Sequence, residues 1–414
     1  MTNTVSTPHQ TIARPHPVRA SAGAVVTTVA CVLPVFLLGG LAVQMGADLG
    51  FSPAGLGLAV AVYFGVSALA SVPSGRLVER YGPTLVARCG IVLAAGSMLA
   101  VAALARSYPM LVGLLALSAA ANALGQLASN AALAQHVPAR RQGLSFGVKQ
   151  AAIPASTLLA GAAVPTFALT IGWRWAFVAA AAVALTTLPA VPRQLPGAAR
   201  RAGAARAGRA TAALVVIGAA ATLAAAAANT LGTFLVDSSA ARGLSPGLAG
   251  LTLTLGGAVC MVARVGAGWF ADRRGSGHVA LIAAMLVVGA AGLALLASAG
   301  SVPLVAGVVL GFGLGWAWPG LMNFAVVRLH PQSPATATSI TQTGVYAGGC
   351  LGPLSLGPLA AHLGYSVMWT TAAVAMVLAA ALMLVGGRLL THTDPAAAHP
   401  TPPTPPRGDH EVIV

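Results

Sequence analysis

Gly75-Arg76-Leu77-Val78-Glu79-Arg80-Tyr81-Gly82, GRLVERYG, recurs 193 residues later as Gly268-Trp269-Phe270-Ala271-Asp272-Arg273-Arg274-Gly275, GWFADRRG. Both copies read G-x-x-x-acid-Arg-x-Gly, and both follow a long apolar run. A second echo confirms the period. GWRWAF at 172–177 opens one apolar run, and GYSVMW at 364–369 opens another 192 residues on. The chain is read as two halves with the same order of elements and the same orientation.

The solvent around those halves follows from composition. Of 414 residues, 57% are hydrophobic and 7% are charged, against about 25% charged in ordinary soluble domains. So few charges cannot cover a water-soluble protein of this size, so lipid is the expected solvent. Twelve apolar stretches are long enough to cross a bilayer, which takes about 20 residues. Their approximate spans are 22–46, 54–75, 84–105, 109–135, 144–168, 174–192, 211–236, 247–270, 278–299, 302–327, 336–361 and 366–390. The predicted fold class is an all-α integral membrane protein, with twelve transmembrane helices in two pseudo-symmetric six-helix bundles. The predicted domains are an N-terminal tail (1–21), a first bundle (22–192), a basic linker (193–210), a second bundle (211–390) and a Pro-rich, disordered tail (391–414). The first apolar run, about 25 residues long, exceeds the core of a cleavable signal and leads directly into further spans.

Basic residues set the expected orientation. Of the 22 Lys and Arg, 19 fall at one set of helix ends or in the tails; the other set holds Arg106, Arg174 and Arg242. Basic loops stay inside, so both termini are placed in the cytoplasm of a bacterial cell membrane. The linker between spans six and seven carries five arginines, which read as a topology anchor on anionic headgroups, or else as a regulatory segment. The net charge of +15 does not point to nucleic acid, because the arginines lie between apolar runs. The four cysteines lack metal-type spacing and read as buried and reduced. No catalytic constellation or nucleotide loop is visible. An enzyme and an ATP-driven pump are both disfavoured, and no cofactor or metal is expected. Neither tail is large enough for a signalling domain, which disfavours a receptor or scaffold.

The repeated loop, the twelve spans, the parallel halves and the central basic linker resemble the major facilitator superfamily over about residues 22–390. Its loop signature is similar to G-x-L-x-D-R-x-G; the first copy departs by Glu79 for Asp, and by Pro83 and Thr84 where basic residues are common. GVKQAAIP, GWRWAF, GWAWPGL and TQTGVYAGGCLGPL look most like the branch of cyanate and nitroimidazole permeases. A glycine-rich G-P-x-x-G-G run in span five, the antiporter signature of many drug exporters, is not present. The resemblance implies a secondary or facilitative transporter working by alternating access on a small-molecule solute, expected as a monomer. The alternative is an exporter of drugs or secondary metabolites. Gly75, Glu79, Arg80, Gly82, Gly268, Asp272, Arg273 and Gly275 are expected to gate. An acid and an arginine at a helix end bridge to a neighbouring helix end or its dipole in one state and release it in the other. A topology signal alone is the other reading of this motif.

Polar residues inside a membrane are costly and mark function. Lys149, the chain's one lysine, lies eight residues past Arg141, and Arg264 lies eight before Asp272, each about 12 Å in along a helix. By the superfamily's arrangement, spans five and eight face each other, so the two cations would flank one cavity as an anion clamp. In the bland reading Lys149 snorkels to the surface and Arg264 pairs with helix-end carbonyls. Asn122, Gln126 and Asn130 share one face of span four. They line the cavity or bond between helices. Gln150 and Gln342 are repeat-equivalent. Asn229 and Thr233, Trp316, Trp318 and Asn323, and Tyr346 are further wall candidates, with core packing the alternative for the aromatics. The resemblance to oxalate and monocarboxylate carriers implies an arginine in span eight. The second basic residue of oxalate carriers falls in span eleven, where this chain has Gln342. Gly344, Gly348 and Gly352 read as a close-packing stripe. No acid sits at mid-depth, and His136, His330 and His362 lie near span ends. Anion uniport, exchange with a counter-anion and proton symport all stay open, with Lys149 a candidate for the proton.

Overall fold

The computed structural model describes residues 17–51, 53–191, 212–244, 246–330 and 333–393. The linker 193–210 lies outside the described residues, as do residues 1–16 of the N-terminal tail and 394–414 of the C-terminal one. Twelve long helical rods follow in order, with one short helix, Ala42–Leu49, between the first two: α1 (Pro17–Gly40), α2 (Pro53–Tyr81), α3 (Pro83–Leu104), α4 (Tyr108–His136), α5 (Gln142–Ala163), α6 (Trp173–Thr186), α7 (Ala212–Ala241), α8 (Pro246–Arg273), α9 (His278–Ala297), α10, α11 (Pro334–Leu363) and α12 (Tyr365–Thr393). α10 comes in two pieces, Ser301–Leu310 and Pro319–Leu329, joined through a π-helical turn at Gly311–Gly315. That break is absent from the sequence expectation of one continuous span. Three glycines in GFGLG and then Pro319, which cannot donate a helical hydrogen bond, explain it. The described residues contain no strand.

Ten of these rods are long and apolar enough to cross a membrane by composition alone; α5 and α11 are not among them. The reason is visible in their sequences. α5 carries Lys149 and Gln150, and α11 opens PATATSITQTG. These two helices run where the two six-helix groups meet, α5 against α8 and α11 against α2. Protein rather than lipid receives their polar faces.

Each group has its own apolar core. Leu38, Ile91, Met98, Leu115 and Phe177 pack in the first; Leu231, Phe312, Phe324, Trp369 and Met376 pack in the second. The outside is equally apolar: Leu69 is 81% and Val262 74% exposed. A helix apolar on its outward face belongs in lipid, where there is no water to avoid. Lipid also accounts for a correction to the cysteine reading. Cys31 and Cys260 are buried, but Cys350 is half-buried and Cys89 is exposed on α3.

Close packing inside each half depends on missing side chains. A Cβ at Gly348 or Gly352 would strike the α7 backbone at Thr222 and Ala226, so the glycine stripe of α11 is a packing face. At the signature loop of the first half, Gly82 takes φ 83° and Pro83 occupies the first turn of α3. Positive φ favours glycine, and proline's fixed φ suits a helix start.

Candidate functional site

The two halves are pinned together at the end carrying the repeated signature. Asp272 of α8 reaches across to the start of α5, where it accepts the backbone N–H of Gly143 at 2.6 Å and of Leu144 at 2.9 Å. Glu79 of α2 does the same to the start of α11, accepting the Thr336 N–H at 3.0 Å. The first N–H groups of a helix lack helical partners, and the helix dipole favours an anion there. The acids thus act on the opposite half's helix ends. The signature arginines do not: Arg80 is exposed beside the Tyr81 ring, 5.3 Å from its centroid, and Arg273 lies over Trp269 at 3.5 Å. The expected bridge is therefore carried by Glu79 and Asp272, each already satisfied by backbone donors.

The glycines explain how the helices come close enough. A Cβ on Gly268 would lie against the carbonyl of Gly143, and one on Gly143 would lie 2.5 Å from the carbonyl of Gly268. On the other seam, a Cβ on Gly75 would sit 2.9 Å from Ser339 Cβ and 3.1 Å from the Ala335 carbonyl. Gly275 differs, with open space where its side chain would be.

Further along the α5–α8 seam lie the two cations. Lys149 is fully buried, at 0% exposure, so it does not snorkel. Its Nζ donates to Gln126 Oε1 and, at 2.9 Å, to Asn130 Oδ1 on α4. Two of the three polar residues of the α4 face thus hold the lysine. The third, Asn122, donates to Ser67 Oγ on α2 at 3.3 Å. Arg264 is 2% exposed. Its Nη1 donates to the Gln150 carbonyl at 2.7 Å, and its Nε and Nη2 donate to the Trp316 carbonyl at 3.3 and 3.0 Å. Among the described residues the ion pair is Arg174–Asp48, far from here at the opposite end. Among the described residues, neither buried cation is matched by a carboxylate.

Buried side chains on α4, α5 and α10 carry polar atoms with no partner: Asn122 Oδ1, Asn130 Nδ2, Gln150 Oε1, both amide atoms of Asn323 and Trp318 Nε1. Unpaired buried polar atoms are rare and need an explanation. The Tyr346 hydroxyl lies beside the side chains of Asn122 and Gln342 without a fully formed hydrogen bond. Its ring stacks on Phe64 of α2, 6.1 Å between centroids, while Trp316 meets Phe312 edge-on at 5.4 Å. Asn229 turns its amide back to the Ala225 carbonyl at 2.7 Å, and exposed Thr233 bonds the Asn229 carbonyl. The Gln150 backbone carbonyl is taken by Arg264, while its side-chain Oε1 is left without a partner. Sequence reading missed Phe64 and Phe312; an aromatic in an apolar helix carries no signal of which face it occupies.

A family model described as Major Facilitator Superfamily matches residues 24–353. NiaP of Bacillus subtilis (strain 168), named as a candidate niacin/nicotinamide transporter, is 30% identical over 129 residues; the match spans 31% of this chain and 32% of that protein. The chain thus covers about a third of the length of the curated relative it matches. Among solved structures, the proton:xylose symporter XylE bound to 6-bromo-6-deoxy-D-glucose superposes with a TM-score of 0.76 at 16% identity, covering 89% of this chain and 95% of that one. The human organic anion transporter MFSD10 gives 0.69 at 18% identity, covering 89% and 100%.

Proposed function

The chain belongs to the Major Facilitator Superfamily, as a multi-pass membrane transporter and not an enzyme, and from that premise we propose that it carries a small organic anion by alternating access. The observation that supports this most is the pair of buried cations, Lys149 on one half and Arg264 on the other, without a carboxylate at either. Burying an unmatched ion costs several kcal/mol. A guanidinium fork and an ammonium buried along one seam suit a carboxylate, which neutralises both. The unpaired amides of Gln150, Asn122 and Asn323, with Trp316, Gln342 and Tyr346, supply neutral contacts to the rest of the solute. Gln126 serves indirectly by holding Lys149, and Asn229 stands nearer the opposite end.

In this reading the bundles 22–192 and 211–390 rock about that site. Glu79, Asp272, Gly75 and Gly268 form the gate, and Arg80, Arg273, Gly82 and Gly275 shape its loops. The arginine distribution supports a cytoplasmic signature end, with both termini inside, in a bacterial plasma membrane. The conformation seen is then the state closed toward the cytoplasm. The protein works as a monomer, with a counter-anion exchanged at the same cations or a proton taken by Lys149 as co-solute. The cyanate-permease-like motifs fit a small planar anion.

Nicotinate and nicotinamide make a discriminating pair, because they share one ring and differ in charge. Purified protein in liposomes is expected to take up radiolabelled nicotinate, or another monocarboxylate from a panel, and to ignore nicotinamide. Arg264→Ala and Lys149→Ala are expected to abolish that uptake. Undiminished uptake in both variants eliminates the anion site. Extrusion of cationic drugs that is indifferent to both variants replaces it with an efflux function.

A further inference from the structure

The structure assigns one shared role to Pro154 of α5 and the break in α10. Each frees a backbone carbonyl, one per half, and together the two carbonyls hold Arg264 as a latch that an incoming anion displaces. In an unbroken helix the Gln150 carbonyl would accept the N–H of residue 154. Residue 154 is proline, inside α5, so that carbonyl has no helical donor. It faces α8 and takes Arg264 Nη1 at 2.7 Å. The second carbonyl belongs to Trp316, which follows the π turn with φ −118° and ψ 0°, outside helical geometry. It takes Arg264 Nε and Nη2, and Cys260 Sγ lies 3.8 Å away. Three donors of one guanidinium are therefore spent on two neutral acceptors, one from each half of the molecule.

Such a bond set has two consequences. With the site empty, Arg264 ties α5 to α8 and α10, next to the point where Gly147 meets the Arg264 backbone. It adds to the Asp272 caps that close the signature end. A carboxylate arriving between Lys149 and Arg264 offers an ionised, two-oxygen acceptor that the guanidinium fork grips by two parallel bonds, which a single neutral carbonyl does not match. The guanidinium then leaves the Gln150 carbonyl, and the first half loses one of its ties to the second. Occupancy is thereby linked to gating through a carbonyl that only a proline leaves free. Pro73 is the internal control. It too lies inside a helix, on α2, yet its side chain is exposed, and no arginine is described on the carbonyl four residues before it.

The displacement step rests on the anion reading; the latch does not. Hydrogen–deuterium exchange on the full-length protein reads the seam at the amides of Gly143, Leu144 and Thr336. Without ligand, Pro154→Ala restores a helical donor to Gln150, which competes with Arg264. Exchange at Gly143 and Leu144 is expected to rise about tenfold, the value of one hydrogen bond to a charged group. Arg264→Lys, which keeps the charge but not the fork, should do the same, and Pro73→Ala should not. Unchanged exchange in Pro154→Ala and Arg264→Lys overturns the latch, whatever the solute. With nicotinate added, wild-type exchange should rise toward the Pro154→Ala level and the variant should rise no further. The KM of Pro154→Ala for nicotinate should fall several-fold as its competitor disappears. A proline needed only for packing would lower the rate and leave KM unmoved. Nicotinate that binds but slows exchange overturns the displacement while leaving the latch. Absence of binding by any carboxylate in the panel rejects the anion reading and the displacement together.

Discussion

The two seams between the halves, α5–α8 and α2–α11, are built from equivalent parts of a repeated sequence and end up unequal. On both, a glycine near the signature admits the facing helix, and an acid captures backbone N–H groups at the other half's helix start. The α5–α8 seam meets backbone to backbone at Gly143 and Gly268, and Asp272 takes two N–H groups. The α2–α11 seam meets through the Ser339 side chain, and Glu79 takes one N–H. Beyond the signature the contrast widens. One seam holds Lys149 and Arg264; the other holds Phe64 stacked on Tyr346, with Thr343 Oγ1 near the Ala68 carbonyl at 3.4 Å. Duplication supplies two hinged seams, and divergence placed charge on one of them. In the proposed mechanism the charged seam senses the solute and the neutral one mainly closes.

The comparison breaks most sharply on the buried polar residues of the two seams. Truncating Arg264 to Ala should cost nicotinate uptake about 100-fold or more, the scale for removing one partner of a buried charged contact. Gln342→Ala on the neutral seam should cost a few-fold. Equal losses would mean that charge is not concentrated on one seam.

Wedges come next. Gly268→Leu drives a side chain into the Gly143 backbone, whose carbonyl a Cβ would strike, whereas Gly75→Leu meets Ser339 and the Ala335 carbonyl at 2.9–3.1 Å. Overpacking costs about 1–3 kcal/mol. Turnover should fall about 30-fold for Gly268→Leu and about threefold for Gly75→Leu, measured as uptake at saturating solute with comparable protein folded in the membrane. The order reversed would remove the α5–α8 seam from its leading place.

The acids give a smaller, graded difference. Asp272→Asn weakens two capping bonds and Glu79→Gln weakens one, at about 1 kcal/mol for each helix cap lost. Amide exchange should rise about tenfold at Gly143 and Leu144 in the first variant, and less at Thr336 in the second.

The smallest effect lies at the opposite end, outside both seams. Asp48 accepts Arg174 Nη1 at 2.7 Å and Trp173 Nε1 at 3.1 Å. The Arg174 hydrogen bond, then that of Trp173, holds its carboxyl below the usual carboxylate range. A depressed acid stabilises the folded protein above its unfolded value, about 3.9. That contribution fades as pH falls through the lower folded value. Trp173 fluorescence should stay constant from pH 7 down to about 4 and change only below it. A transition near pH 5 would contradict the staple, and Asp48→Asn should remove it with little effect on uptake.

Much of this protein was legible in its residues, for a physical reason. Lipid demands apolar spans, closed backbone hydrogen bonding and basic inner loops, and each demand writes a pattern into the chain. Twelve spans, the duplicated halves and the superfamily follow from 57% hydrophobic residues, a period of 192–193 and one repeated octapeptide. Lys149 and Arg264 stood out because a charge amid apolar residues is expensive. Backbone carbonyls were one of the two readings for Arg264; which carbonyls it takes, and what Lys149 bonds, was not legible. The Asn122–Gln126–Asn130 face was read as a cavity wall or as interhelical bonding, and two of its members bond Lys149 on the next helix. Gln150 was chosen for its amide; that its carbonyl also meets Arg264 was not legible. That contact depends on Pro154 four residues on and on a helix 114 residues away. Sequence determined where charge and backbone breaks occur, since both are local chemistry. Only the tertiary structure decided which carbonyl meets which cation, because that depends on how closely two glycine-faced helices approach.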